Sequence, residues 1–146
     1  MVELSPDPTN NQRPIQKWGA AAAAGWQALP DVLLKNQAKL GLSSTELVLL
    51  INILSHWWYP EQLPFPRVTT FAKRMGVTPR TVQRAFESLV AKGLVERRKQ
   101  VEDEGRERSV IDPKGLVEKL KTLAERDPSF LARQQKRDAY YADTPF

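Results

Sequence analysis

The pattern of apolar and polar positions predicts a series of helices that glycine and proline separate. An apolar segment that ends at Gly41 predicts a short helix, and STELVLLINILSHWWY predicts a longer, buried one. Ser43 or Ser44 can cap this longer helix, and Glu46 lies in its first turn, where the helix dipole favours an acid. The proline-rich YPEQLPFP ends it. Its apolar residues at helical spacing are Leu47, Leu50, Ile51 and Leu54.

Two short helices joined by a tight turn follow the proline-rich segment. RVTTFAKRMG predicts a helix that ends at Gly76, because glycine adopts the left-handed conformation at low cost. Thr78 is a good N-cap for the next helix, and Pro79 fits its first position. Such a pair is typical of a helix-turn-helix. The residues predicted to face inward from the first helix are Phe71, Ala72 and Met75.

The second helix of this pair separates an apolar face from a polar face. At about 100° per residue, its apolar residues share one side. The polar residues of its first turns suit DNA, because arginine and glutamine contact base edges and hydroxyls contact bases or phosphates. A solvated surface is the alternative interpretation. The apolar residues are Val82, Ala85, Phe86 and Leu89, and the candidate DNA-binding residues are Arg80, Thr81, Gln83 and Arg84.

A two-stranded hairpin is predicted after the second helix. GLVERRK leads into an extended run, and SVI at 109–111 offers a partner strand. The fold class is therefore mainly α with a small β-hairpin, a winged helix-turn-helix with an N-terminal arm and a C-terminal helical extension. Three acids at 102–104 would repel phosphates, whereas Arg106 and Arg108 would attract them. We expect the wing to contact DNA through these arginines.

The chain from about residue 26 to 112 resembles the winged helix-turn-helix domain of plasmid replication initiators, DnaD-type primosome proteins and related bacterial and phage regulators. The run PRVTTFAKRMGVTPRTV carries the most specific part of this resemblance. The resemblance implies that Thr78, Arg80, Thr81 and Arg84 contact double-stranded DNA. It also implies that the segment from Arg67 to Thr69 contacts the DNA backbone. The acidic tip of the wing departs from the pattern.

The distribution of charge agrees with a nucleic-acid partner. The chain has 22 Lys and Arg against 17 Asp and Glu. Residues 66–99 hold nine bases and two acids, a net charge of +7, whereas residues 1–65 have a net charge of −1. The positive field therefore coincides with the helix-turn-helix and the start of the wing.

The composition argues against several other functions. The chain has no cysteine and a single histidine, His56, so thiolate sites, a histidine metal cluster and a serine–histidine triad lack their residues. We expect no enzymatic activity, no cofactor and no small-molecule ligand. The alanine run at 20–24 is too short to span a membrane, and we expect a cytoplasmic protein.

The regions outside the central domain allow more than one interpretation. We expect a flexible arm at 1–25, the winged domain at 26–112 and a C-terminal helix and tail at 113–146. Leu116, Leu120 and Leu123 form an apolar stripe, which either builds a homodimer seam or covers the domain's own core. The last segment, PSFLARQQKRDAYYADTPF, extends a dimer interface, holds a neighbouring protomer or lies on DNA.

Two functions of different classes remain. The first is a sequence-specific DNA-binding protein that acts as a transcriptional regulator or as a plasmid or mobile-element maintenance or replication factor. The second is a winged-helix scaffold that binds proteins without reading bases. The aromatic run from His56 to Tyr59 resembles a base-stacking platform, but its position at the end of an apolar helix favours packing in the core.

Overall fold

The computed structural model describes residues 13–65 and 67–142, and for Arg13 and Tyr141 it describes the backbone alone. Contacts divide the chain into two compact units, Asn36–Lys121 and the remainder on both sides. In chain order the elements are α1 (Arg13–Trp18), α2 (Ala20–Ala23), α3 (Asp31–Lys35), α4 (Ser44–Leu54), α5 (Val68–Met75), α6 (Pro79–Ala91), β1 (Glu96–Val101), β2 (Glu107–Asp112), α7 (Lys114–Ala124) and α8 (Pro128–Ala142).

The unit at 36–121 has the predicted winged helix-turn-helix fold. Helices α5 and α6 form the helix-turn-helix, and β1 pairs antiparallel with β2 to form the wing. The register places Glu96 opposite Asp112 and Val101 opposite Glu107. The amide of Ile111 also donates to the carbonyl of Pro64 at 2.8 Å, so the segment before α5 lies along β2.

The apolar face of α6 is buried as the sequence predicts. A buried side chain of the size of valine, leucine or phenylalanine stabilises the fold by about 1.5–3 kcal/mol relative to an exposed one. Burial of this face therefore fixes the orientation of α6. The side chains on that face are Val82, Ala85, Phe86 and Leu89, and they share the core with Phe71 and Ala72 of α5. Met75 is only half-buried.

Helix α4 buries only part of its predicted apolar stripe. Leu50 is buried as expected, but Leu47, Ile51 and Leu54 are only half-buried. Because α4 is apolar on most of its sides, the sequence pattern left its rotation undetermined. Ser43 is the N-cap, and its side chain accepts a hydrogen bond from the amide of Glu46 at 3.1 Å. The fully buried residues of α4 are Leu49, Leu50 and Ile53.

A polar network joins the start of α4 to the end of α6. The Glu46 carboxylate accepts a hydrogen bond from the Ser88 hydroxyl at 3.2 Å and forms an ion pair with Lys92. The ammonium group of Lys92 also donates to the carbonyl of Gly41. Burial alone would raise the pKa of Glu46, but hydrogen bonds from Lys92, Ser43 and Ser88 outweigh it and lower the pKa.

The stripe on α7 covers the core of its own chain. Leu116 and Leu120 are 2% and 7% exposed, and Leu123 is half-buried. The amide of Leu116 donates to the carbonyl of Leu94 at 2.9 Å, which holds α7 against the turn after α6. A Cβ atom at Gly115 would lie 1.9 Å from the carbonyl oxygen of Gly93, so this approach requires glycine.

Two further expectations are wrong. The helix expected to end at Gly41 ends at Lys35, and the chain continues through turns. Asn36 follows Lys35, and asparagine favours turns over helix interiors. Trp58 and Tyr59 are 77% and 60% exposed instead of packed in the core, because the chain leaves the helix after Leu54 and turns outward before the prolines.

The second unit contains the terminal helices. Near the start of α8, a carboxylate oxygen of Asp127 accepts a hydrogen bond from the amide of Ser129 at 2.8 Å, and Lys35 pairs with the other oxygen at 3.2 Å. The expected flexible arm lies partly outside the described residues, at 1–12, and residues 13–25 contain α1 and α2. The division at 25 and 112 stays a prediction. No helix in the described part of the chain is long and apolar enough to cross a membrane.

Candidate nucleic-acid interface

The turn between α5 and α6 is built as the sequence predicts. Gly76 ends α5 in the left-handed conformation, with φ 67°. Thr78 is the N-cap of α6, and its hydroxyl oxygen accepts a hydrogen bond from the amide of Thr81 at 3.2 Å. Pro79 occupies the first turn, where an amide donor would have no intrahelical partner. The start of α6 is therefore fixed by local interactions.

The first turns of α6 present polar side chains to solvent. Arg80, Gln83 and Arg84 are exposed, on the side opposite the buried face. Because residues three and four apart are neighbours on a helix, these three side chains form one continuous patch. Thr81 is half-buried, and its hydroxyl lies 3.0 Å from that of Thr78. These two threonines therefore shape the helix start as well as its surface.

The N-terminus of α5 supplies a second part of the surface. Arg67 is the N-cap residue of α5, with an exposed side chain that makes no capping hydrogen bond, and Thr69 is also exposed. A cleft between α5, α6 and the wing is lined by Arg67, Phe86 and Arg97 among others. The start of α5 and the base of the wing therefore flank the same cleft.

The two predicted wing arginines have different environments. Arg106 is exposed in the turn between the strands. The Arg108 guanidinium instead lies 3.9 Å from the centroid of the Phe65 ring and pairs with Glu102 at 2.6 Å. Arg108 therefore contacts its own domain on two sides, whereas Arg106 projects from the tip.

Sequence reasoning missed Arg97 as a candidate contact. Its guanidinium carbon lies 4.5 Å from the centroid of the Phe86 ring, so it stacks on α6. Alternation along an extended chain could have found it, because Arg97 lies two residues after the buried Val95 and so shares its side. The neighbouring bases pair with acids instead: Arg98 with Asp112 at 3.1 Å, and Lys99 with Glu107 at 3.7 Å.

The single histidine packs within the domain. The His56 ring makes an edge-on contact with Phe71, with 5.8 Å between centroids, and its Nε2 lies 3.4 Å from a guanidinium nitrogen of Arg74. Burial lowers the pKa of His56, and the positive charge of Arg74 lowers it further. Neutral imidazole can accept a hydrogen bond from Arg74, so a packing role accounts for these contacts.

Comparisons with known proteins agree with this geometry. Residues 40–95 match a family model described as a helix-turn-helix domain. The crystal structure of the N-terminal domain of the DnaD protein from Geobacillus kaustophilus is similar, with 28% identity, 84% of this chain and 96% of that chain covered, and a TM-score of 0.55. A possible transcriptional regulator from Methanosarcina mazei matches with 16% identity, 78% and 88% coverage and a TM-score of 0.42. No curated protein matches the chain.

The class of protein follows from fold and comparison together. The chain carries a winged helix-turn-helix domain, as its resemblance to such domains implied. The match covers the turn, both helices of the helix-turn-helix and the exposed patch of α6. These findings support a DNA-binding regulator as the general class.

Proposed function

We propose that this chain binds specific sequences of double-stranded DNA through α6. The observation that supports this proposal is the exposed patch of Arg80, Gln83 and Arg84 on a helix whose opposite face is buried. Arginine binds guanine and glutamine binds adenine in the major groove through paired hydrogen bonds. Occupancy of a DNA site is the whole mechanism, so no chemical step is required.

Within this proposal each part of the surface has its own task. The α6 patch reads bases, whereas Arg67 and Thr69 bind the backbone beside it and Arg106 adds a phosphate contact from the wing. Thr78 and Thr81 fix the start of α6. Arg108 holds the wing in place through Phe65 and Glu102. We infer a role in transcriptional regulation or in plasmid or mobile-element maintenance or replication.

A homodimer is the second part of the proposal. The α7 stripe is not its interface, because Leu116 and Leu120 are buried within a single chain. Helix α8 offers an alternative surface, since Phe130 and Leu131 are 41% and 46% exposed. Two linked domains would bind paired half-sites more tightly than one, because the second contact is intramolecular.

Selection of bound fragments from random DNA tests the proposal. We expect one enriched sequence, and two symmetric half-sites if the protein is a dimer. Affinity for that site should fall with salt at a slope of about −0.9 per phosphate contact, with about four to seven contacts per protomer. Folded protein that enriches no sequence and responds weakly to salt would contradict sequence-specific binding.

A protein-interaction scaffold is the second candidate function, and one observation favours it. Trp58 and Tyr59 are largely exposed, next to Trp57, which lines a groove with Leu63 and Val117. Exposed aromatic residues are frequent anchors at protein interfaces. Under this function, Trp58→Ala would abolish binding of the protein partner, whereas Arg84→Ala would leave that binding unchanged.

A further inference from the structure

We propose that the cleft between the wing and α5 binds one phosphodiester of the DNA backbone, with Arg97 as a contact from the base of the wing. This inference rests on the proposed DNA binding and assigns Arg97 a role in it. It adds a wing contact at the start of β1, whereas the sequence pointed to the tip and the return strand.

The cleft combines an apolar floor with a cationic rim. Arg67 approaches from the N-terminus of α5, Arg97 from β1, and Ser109 supplies a hydroxyl from β2. Among the residues that the structure describes, no acidic residue lines this cleft. Two guanidinium groups and a hydroxyl are donors that suit a phosphate, which accepts several charge-assisted hydrogen bonds. The floor is formed by apolar residues that include Phe65, Val68, Phe71 and Phe86.

Arg97 is held in place without being neutralised. Its guanidinium lies over the Phe86 ring at 4.5 Å, which restricts the side chain. Within the described part of the chain, Arg98, Lys99 and Arg108 each form an ion pair with an acid, and Arg97 forms none. A restrained, uncompensated guanidinium loses little entropy when it binds an anion, since its rotamers are already limited.

The position of the cleft favours DNA backbone as the source of the phosphate. The cleft is lined by residues of α5, α6 and both strands of the wing, so it adjoins the helix that presents Arg84. A helix that enters the major groove has a phosphate backbone along each side of it. The base of the wing and the start of α5 would then grip one backbone together, and the phosphate would bridge Arg67 and Arg97.

Methylphosphonate scanning of the selected DNA site tests this arrangement. One phosphate at a time is replaced by a neutral methylphosphonate, and the affinity of the full chain is measured. For the parent protein we expect a loss of about tenfold at each contacted phosphate. Arg97→Ala and Arg67→Ala should each reduce the loss at the same single position and leave the loss at the other positions unchanged. Each variant should also reduce the salt slope by about one.

Matched variants separate this contact from a general loss of charge. Lys99→Ala removes a cation two residues along the same strand, and it should leave the sensitivity at that position intact. Arg97→Met places an uncharged side chain of similar length over Phe86, so it should reproduce the effect of Arg97→Ala on the scan in a protein that circular dichroism shows to be folded. An Arg97→Met protein that shows the full loss of the parent at every position overturns the inference but leaves the proposed function standing. A parent protein that binds no DNA overturns both.

Discussion

The Arg108 guanidinium lies against the Phe65 ring, with 3.9 Å between its central carbon and the ring centroid. Phe65 belongs to the segment that leads into α5, and Arg108 belongs to β2. The same guanidinium pairs with Glu102 at the tip of the wing. Arg108 therefore connects the wing to the segment before the helix-turn-helix, which suits a residue that positions the wing.

The two wing arginines should respond differently to substitution. Arg108→Ala should lower the free energy of unfolding by about 1–2 kcal/mol, because it removes a cation–π contact and an ion pair. It should also speed amide exchange at the wing turn. Arg106→Ala should leave the melting temperature unchanged and weaken binding to all DNA sequences alike, as the loss of a phosphate contact does. Equal melting temperatures for both variants would remove the positioning role of Arg108.

Substitution of Arg84 distinguishes recognition of bases by α6 from binding of the DNA backbone alone. Arg84→Ala should cost about 1–3 kcal/mol on the selected site and relax the preference at one base pair. Its melting temperature should match that of the parent, because the side chain is exposed. Binding to selected and random DNA, measured in the same salt, checks this expectation. A loss by the same factor on both DNAs would mean that α6 holds the backbone without reading bases.

The ion pair between Glu46 and Lys92 should make the free energy of unfolding decrease when the pH is lowered into the acid range. The pKa of Glu46 is lower in the folded protein than in the unfolded chain, where it is about 4.3. The ionised Glu46 side chain therefore stabilises the fold fully above the unfolded pKa, and this stabilisation is lost as the pH falls through the folded pKa. Urea unfolding at a series of pH values measures this loss. Glu46→Gln should reduce stability near neutral pH by about 1.5–3 kcal/mol and flatten the acid limb. Glu104→Gln, at an exposed wing position, should leave the profile unchanged.

Two substitutions distinguish the core of the chain from the proposed dimer surface. Leu120→Asp should unfold the protein, at a cost of about 4 kcal/mol or more, because it places a charge at a position that is 7% exposed. Phe130→Asp should instead give a folded monomer that binds a half-site weakly. Sedimentation and circular dichroism measure both outcomes. A parent protein that sediments as a monomer with and without DNA would refute the dimer.

The sequence predicted α6 better than α4 for a physical reason. Helix α6 has sharply different faces, so its period determines which residues are buried. Helix α4 is apolar on most sides, and Val48 stays 45% exposed although its neighbour Leu49 is fully buried. The apolar side of α4 that faces inward depends on how α5, α6 and the wing pack against it, and the local sequence of α4 does not specify that packing.

The candidate site shows the same division between local and distant information. The cap at Thr78 and the exposed patch of α6 depend on neighbours within two helical turns, so the sequence carries them. The environments of Arg97 and Arg108 depend on Phe86 and Phe65, which belong to other elements of the fold. Charge alone made these arginines look alike, whereas packing gives them separate surroundings.

The local capping of α6 has a consequence for the thermodynamics of association. The Thr78 cap and the fixed φ of Pro79 need no contact from another molecule, so the backbone of the first turn of α6 is ordered before any partner binds. A preordered turn avoids an entropic cost of about 1–2 kcal/mol per residue on binding. The heat capacity change of complex formation should therefore match the apolar area buried between two rigid bodies, with no contribution from coupled folding of α6.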